Sequence, residues 1–128
     1  MNDFAPALMT DHYELTMVSA ALKDGTARRR SVFEVFARRL PPGRRYGVVA
    51  GQGRLIELIN DFHFSTEDLD FLRSAGIIDA ATASWLADYR FTGDVEGYAE
   101  GELFFPGSPI LTVSGTFVEC VVLETLIL

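Results

Sequence analysis

Residues Gly93–Gly115 read GDVEGYAEGELFFPGSPILTVSG. Glycine or proline recurs every few positions, and the runs between them are too short for helices. Asp94–Glu100, Leu103–Phe105 and Ile110–Val113 are expected as strands. Pro106-Gly107 and Ser114-Gly115 supply turn chemistry between and after them. A helix-forming pattern on both sides of this stretch makes the fold class α+β, with helices packed on short, mostly antiparallel strands.

Upstream, Asp11–Lys23 reads as a helix. Asp11 can cap it, Glu14 stands three residues on as in a capping box, and Leu15, Val18 and Leu22 share one face. Gly25 ends it. Ser31–Arg38 alternates and is rich in β-branched and aromatic residues, so a strand is expected, broken by Pro41-Pro42-Gly43. Tyr46–Ala50 is a short apolar run, expected as a buried strand. Gly51–Phe62 reads as a helix with Leu55, Ile56, Leu58 and Ile59 on its apolar side. Ser65-Thr66-Glu67-Asp68 starts another, which uses Leu69 and Leu72 and stops at Gly76. A further helix is expected over Ala80–Tyr89, capped by Asp79, with Trp85 and Leu86 inward.

Downstream, Thr116–Leu128 looks helical. It runs apolar to its last residue with no glycine, asparagine or basic stop. The expectation is a polypeptide cut inside an element that packs on something further along, or else a tight oligomer contact. The domain reading is therefore 1–115 for an N-terminal α+β domain and 116–128 for the start of a connecting helix.

The 128 residues suffice for one domain, and 48% are hydrophobic, which argues against disorder. No apolar run reaches membrane-helix length, and Met1-Asn2-Asp3-Phe4 lacks a basic n-region. The single cysteine, Cys120, excludes an intrachain disulfide and reads as a small buried hydrophobe. Together these point to the cytoplasm.

The net charge of −7 argues against nucleic-acid binding, but its distribution is uneven. Arg28, Arg29, Arg30, Arg38, Arg39, Arg44 and Arg45 lie close in sequence with only Glu34 among them. That segment carries +6, which leaves −13 elsewhere. It is either a contact for a small anion or a solvated turn.

Specific chemistry is sparse. His12 and His63 have no metal-ligand spacing, so no metal is expected. Gly51-Gln52-Gly53 is half of a dinucleotide loop, but position 56 is Ile, and a strand-to-helix turn explains it better. No nucleophile elbow or Walker loop is present. A lipoyl- or biotinyl-type carrier fails because the one lysine, Lys23, ends a helix.

A resemblance adds what the spacing does not. Leu8-Met9-Thr10-Asp11-His12-Tyr13-Glu14-Leu15-Thr16-Met17 resembles the opening T-D-x-Y-x-x-T-M motif of nicotinate phosphoribosyltransferases. The likeness continues through Phe33–Pro41, Gly47–Gly51, Phe91–Val95, Glu100-Gly101, Phe105–Pro109, Val113–Gly115 and Leu123-Glu124-Thr125. It covers essentially the whole chain, in order.

The resemblance implies the N-terminal α/β region of a type II phosphoribosyltransferase, without the α/β barrel that carries the phosphoribosyl loops and a phosphorylated histidine. No catalytic residue is expected in this chain, which alone would be inactive. The family joins nicotinate to 5-phosphoribosyl-1-pyrophosphate, giving nicotinate mononucleotide and pyrophosphate in NAD biosynthesis. ATP, with Mg2+, is the implied co-substrate of the full-length enzyme. Tyr13 matches the tyrosine that stacks on the nicotinate ring and reaches into the partner's site, which implies a homodimer. Arg38 or Arg39 matches an arginine that would meet phosphate or the nicotinate carboxylate. Asp11 reads first as a cap and second as a site residue. Many members of the family have a small apolar residue at the place of His12, whose role is unassigned. The alternatives are a nicotinamide-specific relative and a truncated, non-catalytic interaction module.

Overall fold

A computed structural model describes residues 6–128. Pro6–Met9 forms a single 3-10 turn, too short to announce itself by periodicity. Helix α1 (His12–Asp24) follows, with Asp11 at its N-cap and Gly25, at φ 81°, ending it in the left-handed conformation. Strand β1 (Arg30–Val35) is followed by the short β2 (Gly47–Val48). Helices α2 (Gln52–Asp61), α3 (Thr66–Ser74) and α4 (Ala80–Ala87) come next. Then come strands β3 (Asp94–Gly97), β4 (Leu103–Phe104) and β5 (Leu111–Thr116), and short helices α5 (Phe117–Val121) and α6 (Glu124–Ile127).

The strands make two antiparallel sheets. One has the order β1-β5-β3, with Phe33 and Val95 both opposite Val113; the other pairs β2 with β4, Val48 opposite Leu103. The expected α+β class with antiparallel strands is what forms.

The caps behave as their residue types dictate. The Ser65 hydroxyl accepts from the Asp68 N–H at 3.1 Å, while the Asp68 carboxylate accepts from the Ser65 N–H at 2.9 Å. Asp79 accepts from the Thr82 N–H at 2.8 Å and pairs with Lys23 at 3.0 Å, tying α4 to the end of α1. The main core joins Leu15 and Val18 of α1, Leu72, Leu86, and Val118 and Val121 of α5. Phe62, Phe64 and Tyr89 meet there edge to face, with centroids 5.5–6.2 Å apart. The buried Tyr89 hydroxyl donates to the Glu119 carbonyl at 2.8 Å.

Several expected boundaries are corrected. β1 ends at Val35, not Arg38. The run Tyr46–Ala50 is not a buried strand: only Gly47 and Val48 pair, and Val48 is 53% exposed. Ile56 faces outward on α2, whereas Ile59 is buried. β3 stops at Gly97, because Ala99–Glu102 closes a tight turn through the Glu102 N–H to the Ala99 carbonyl at 3.1 Å. Ser114-Gly115 is not a turn but part of β5, paired with Val32 and Ser31. Gly115 serves close approach, since a Cβ there would lie 3.3 Å from the Cys120 sulfur and 3.5 Å from the Gly93 Cα. The expected C-terminal helix is interrupted at Val122-Leu123, and both residues are buried.

Candidate functional site

The first and last of the motif segments meet. Glu14 lies on the α1 face that also carries Val18 and Ala21, and it is fully buried. Its carboxylate accepts from the Thr10 hydroxyl and, at 3.2 Å, from the Asp11 N–H. It also accepts from the Thr125 N–H at 3.1 Å and the Thr125 hydroxyl at 2.7 Å. A buried carboxylate is tolerable only when so satisfied. It fastens the first turn of α1 to the first turn of α6.

Tyr13 is the neighbour of this carboxylate on the solvent side and is 47% exposed. The neighbouring Glu124 carboxylate, then burial, then the charges of Glu14 and Asp11 push its pKa above the ordinary 10, so the ring is a neutral phenol at physiological pH. Asp11 and His12 are exposed in the same turn, and the Thr16 hydroxyl donates to the His12 carbonyl at 3.1 Å.

Glu124 also borders a groove of about 310 Å³ between β1 and α6, lined with Phe33, Val35, Cys120 and Ile127. Burial, then the charge of Glu119, raises the Cys120 thiol to about 11, so it carries no thiolate there at neutral pH. A larger groove, about 450 Å³, opens between β1, α2 and α6 and is lined by Val35, Leu55, Leu58, Phe104, Ile110 and Ile127.

The arginines are not one patch. Arg28–Arg30 lead into β1, whereas Arg38, Arg39, Arg44 and Arg45 lie beyond its far end, a six-residue strand of about 20 Å away. All seven are exposed. Backbone bonds from Gly107 to Ala37 at 2.9 Å and from Ile110 to Val35 at 2.8 Å hold the segment entering Arg38 and Arg39. Among the described residues neither guanidinium enters an ion pair.

The half-glycine loop is a helix entrance, as its missing third glycine suggests. Gly51 caps α2 at φ 97°, and Glu100 accepts from the Gly51 N–H at 2.6 Å and the Gln52 N–H at 2.9 Å. Two further motif segments thus meet through a carboxylate. Glu119 accepts from Thr116 and Thr92, joining the start of α5 to the segment before β3. Among the described residues no group of three His, Cys, Asp or Glu side chains could hold a metal ion, and no helix is long and apolar enough to cross a membrane.

Sequence reasoning placed Tyr13 and Asp11 together in one turn but missed Glu124 and Thr125 beside them. One signal was present: Glu14, Val18 and Ala21 are spaced i, i+4 and i+7, which puts an acid on a buried face.

The family model for the nicotinate phosphoribosyltransferase N-terminal domain matches residues 8–128. The chain is 58% identical over 127 residues to nicotinate phosphoribosyltransferase pncB1 of Mycobacterium tuberculosis, covering 99% of this chain and 28% of that protein. It is 34% identical to the nicotinate phosphoribosyltransferase of Bacillus subtilis, over 98% of this chain and 26% of that one. The crystal structure of human nicotinic acid phosphoribosyltransferase superposes with a TM-score of 0.82 at 33% identity, over 92% of this chain and 24% of that one. A nicotinate-nucleotide pyrophosphorylase from Pyrococcus furiosus shares the fold at TM-score 0.63 and 18% identity, over 95% of this chain and 24% of that one. The chain spans about a quarter of the length of these relatives. With the family model covering residues 8–128, this chain belongs to the nicotinate phosphoribosyltransferase N-terminal domain family.

Proposed function

We propose that this chain is the N-terminal domain of a cytoplasmic nicotinate phosphoribosyltransferase. The longer enzyme joins nicotinate to 5-phosphoribosyl-1-pyrophosphate, giving nicotinate mononucleotide and pyrophosphate, with ATP and Mg2+ as co-substrates. The observation that carries this reading is 58% identity across 99% of the chain to an enzyme of that name.

In this reading Tyr13 offers a flat, neutral phenol to a flat heteroaromatic ring. Its half-exposed position on α1 suits a site completed by a second subunit, so the enzyme is a homodimer with Tyr13 reaching the partner's site. Arg38 or Arg39 supplies a free guanidinium fork to a phosphate or to the nicotinate carboxylate. Asp11 starts the helix that presents the ring. The chemistry itself needs two reactants held in line and a leaving anion neutralised, which requires residues outside this chain.

The test is the rate of mononucleotide formation by the uninterrupted reading frame, supplied with 5-phosphoribosyl-1-pyrophosphate and either nicotinate or nicotinamide, with and without ATP. A strong preference for nicotinate is expected. Preference for nicotinamide moves the assignment to the amide-specific reading, and activity with neither leaves an interaction module. Within an active enzyme, Tyr13→Ala is expected to raise the nicotinate KM about tenfold or more, the scale of one lost aromatic stack.

A further inference from the structure

We propose that Glu14 and Thr125 form a buried latch that positions Tyr13, so that both are positioning residues for the base-binding step. This rests on the reading of Tyr13 as the ring-stacking residue. The geometry that points to it is the sequence separation. Tyr13 and Glu14 are adjacent in α1, Glu124 and Thr125 are adjacent in α6, and Glu14 and Thr125 are 111 positions apart in sequence. One fully buried carboxylate closes that interval. With one oxygen it accepts both donors of Thr125, at 3.1 and 2.7 Å; with the other it accepts from Thr10 and from the Asp11 N–H.

The latch acts on the next residue in each element. With Glu14 fixed inside, Tyr13 is held on the solvent side of α1. With Thr125 fixed to Glu14, the first turn of α6 is held against the turn of α1 that carries Tyr13. The ring's place is thereby set by its own helix and, through Glu14, by the seam with α6. A stacking ring pre-set in this way loses little side-chain entropy on binding, so the latch is expected to act on base affinity rather than on the chemical step.

The test is a double-mutant cycle in the full-length enzyme, reading KM for each substrate and kcat. Thr125→Val removes the hydroxyl donor while keeping shape and the backbone N–H. It is expected to raise the nicotinate KM about three- to tenfold, the range for part of one hydrogen bond to a charged acceptor. kcat and the KM for 5-phosphoribosyl-1-pyrophosphate should stay within about twofold, and Thr125→Ser should restore the nicotinate KM. In a Tyr13→Ala background the effect of Thr125→Val on the nicotinate KM should vanish, because nothing is left to position. An unchanged nicotinate KM in Thr125→Val, or the same rise with and without Tyr13, overturns the latch. Should the valine variant fail to fold, a nicotinate KM raised in Thr125→Ser to the level of Tyr13→Ala overturns it as well. A wild-type enzyme without nicotinate turnover overturns the functional reading and not merely the latch.

Discussion

The seam between α1 and α6 and the segment from Phe36 to Tyr46 are opposite solutions to holding polar side chains. In the seam a buried carboxylate collects four donors, and its neighbours in sequence inherit fixed places. In the segment Arg38, Arg39, Arg44 and Arg45 are exposed, and only backbone bonds, such as the Arg44 N–H to the Pro41 carbonyl at 3.0 Å, give it shape. The fold therefore fixes the turn that carries Tyr13 in advance and leaves these arginines without an ion pair among the described residues. An apolar stack gains by rigidity, whereas an arginine gains its partner when an anion arrives and orders it.

The contrast can be broken most forcefully at Glu14. Glu14→Ala leaves Thr10, the Asp11 N–H and Thr125 without their buried acceptor and opens a cavity. It should cost about 3–5 kcal/mol in denaturant unfolding. A loss below about 1 kcal/mol would mean that water replaces the carboxylate and the seam is no more fixed than the segment.

Glu119 probes the same principle with a smaller effect. Burial opposes its ionisation, but hydrogen bonds from Thr116 and Thr92 outweigh that and hold its pKa below the ordinary 4.5. A carboxylate so depressed contributes stability above about pH 4.5 and loses it as pH falls through the folded value. The wild type should therefore weaken on the acid side of pH 4.5. Glu119→Gln should cost about 1 kcal/mol at neutral pH and show a flatter acid limb. Parallel acid limbs for the two proteins would remove Glu119 from the account.

The smallest stability effects belong to the segment. Arg38→Ala and Arg39→Ala should each shift stability by less than about 0.5 kcal/mol, since neither guanidinium enters an ion pair among the described residues. One of them should nonetheless raise the KM for a substrate carrying phosphate or carboxylate. Whichever does so resolves the choice between the two, and a large stability loss in either would show a structural partner.

Much of this was legible in local sequence, for local reasons. Asp11, Ser65 and Asp79 mark helix starts because a short polar side chain or its reciprocal acid satisfies the first free N–H groups. Tyr13 was singled out only through its motif; nothing in helical periodicity assigns a role to an exposed tyrosine. The misread positions have non-local causes. Ser114-Gly115 has turn residues, yet β1 pairs across it, and the glycine is demanded by Cys120 and Gly93 pressing on either side. Val121–Leu123 carries no breaker, so the interruption between α5 and α6 is set by packing against the core. The Arg28–Arg45 charge cluster dissolves because a strand, fully extended, carries its two ends apart.

The carboxylate of Glu100 at the entrance of α2 has a consequence for where phosphate can go. A helix entrance with free N–H groups would ordinarily invite an anion from solution. Here the seat is already taken by a tenant from the same chain, tethered by the β3–β4 connection and held by two short bonds. A dissolved phosphate is diluted by its own volume; Glu100 is not, so the visitor competes against a resident whose local concentration never falls. The polarity of α2 is thereby spent internally on closing the fold, and an anion from solution is left to groups with no such lodger.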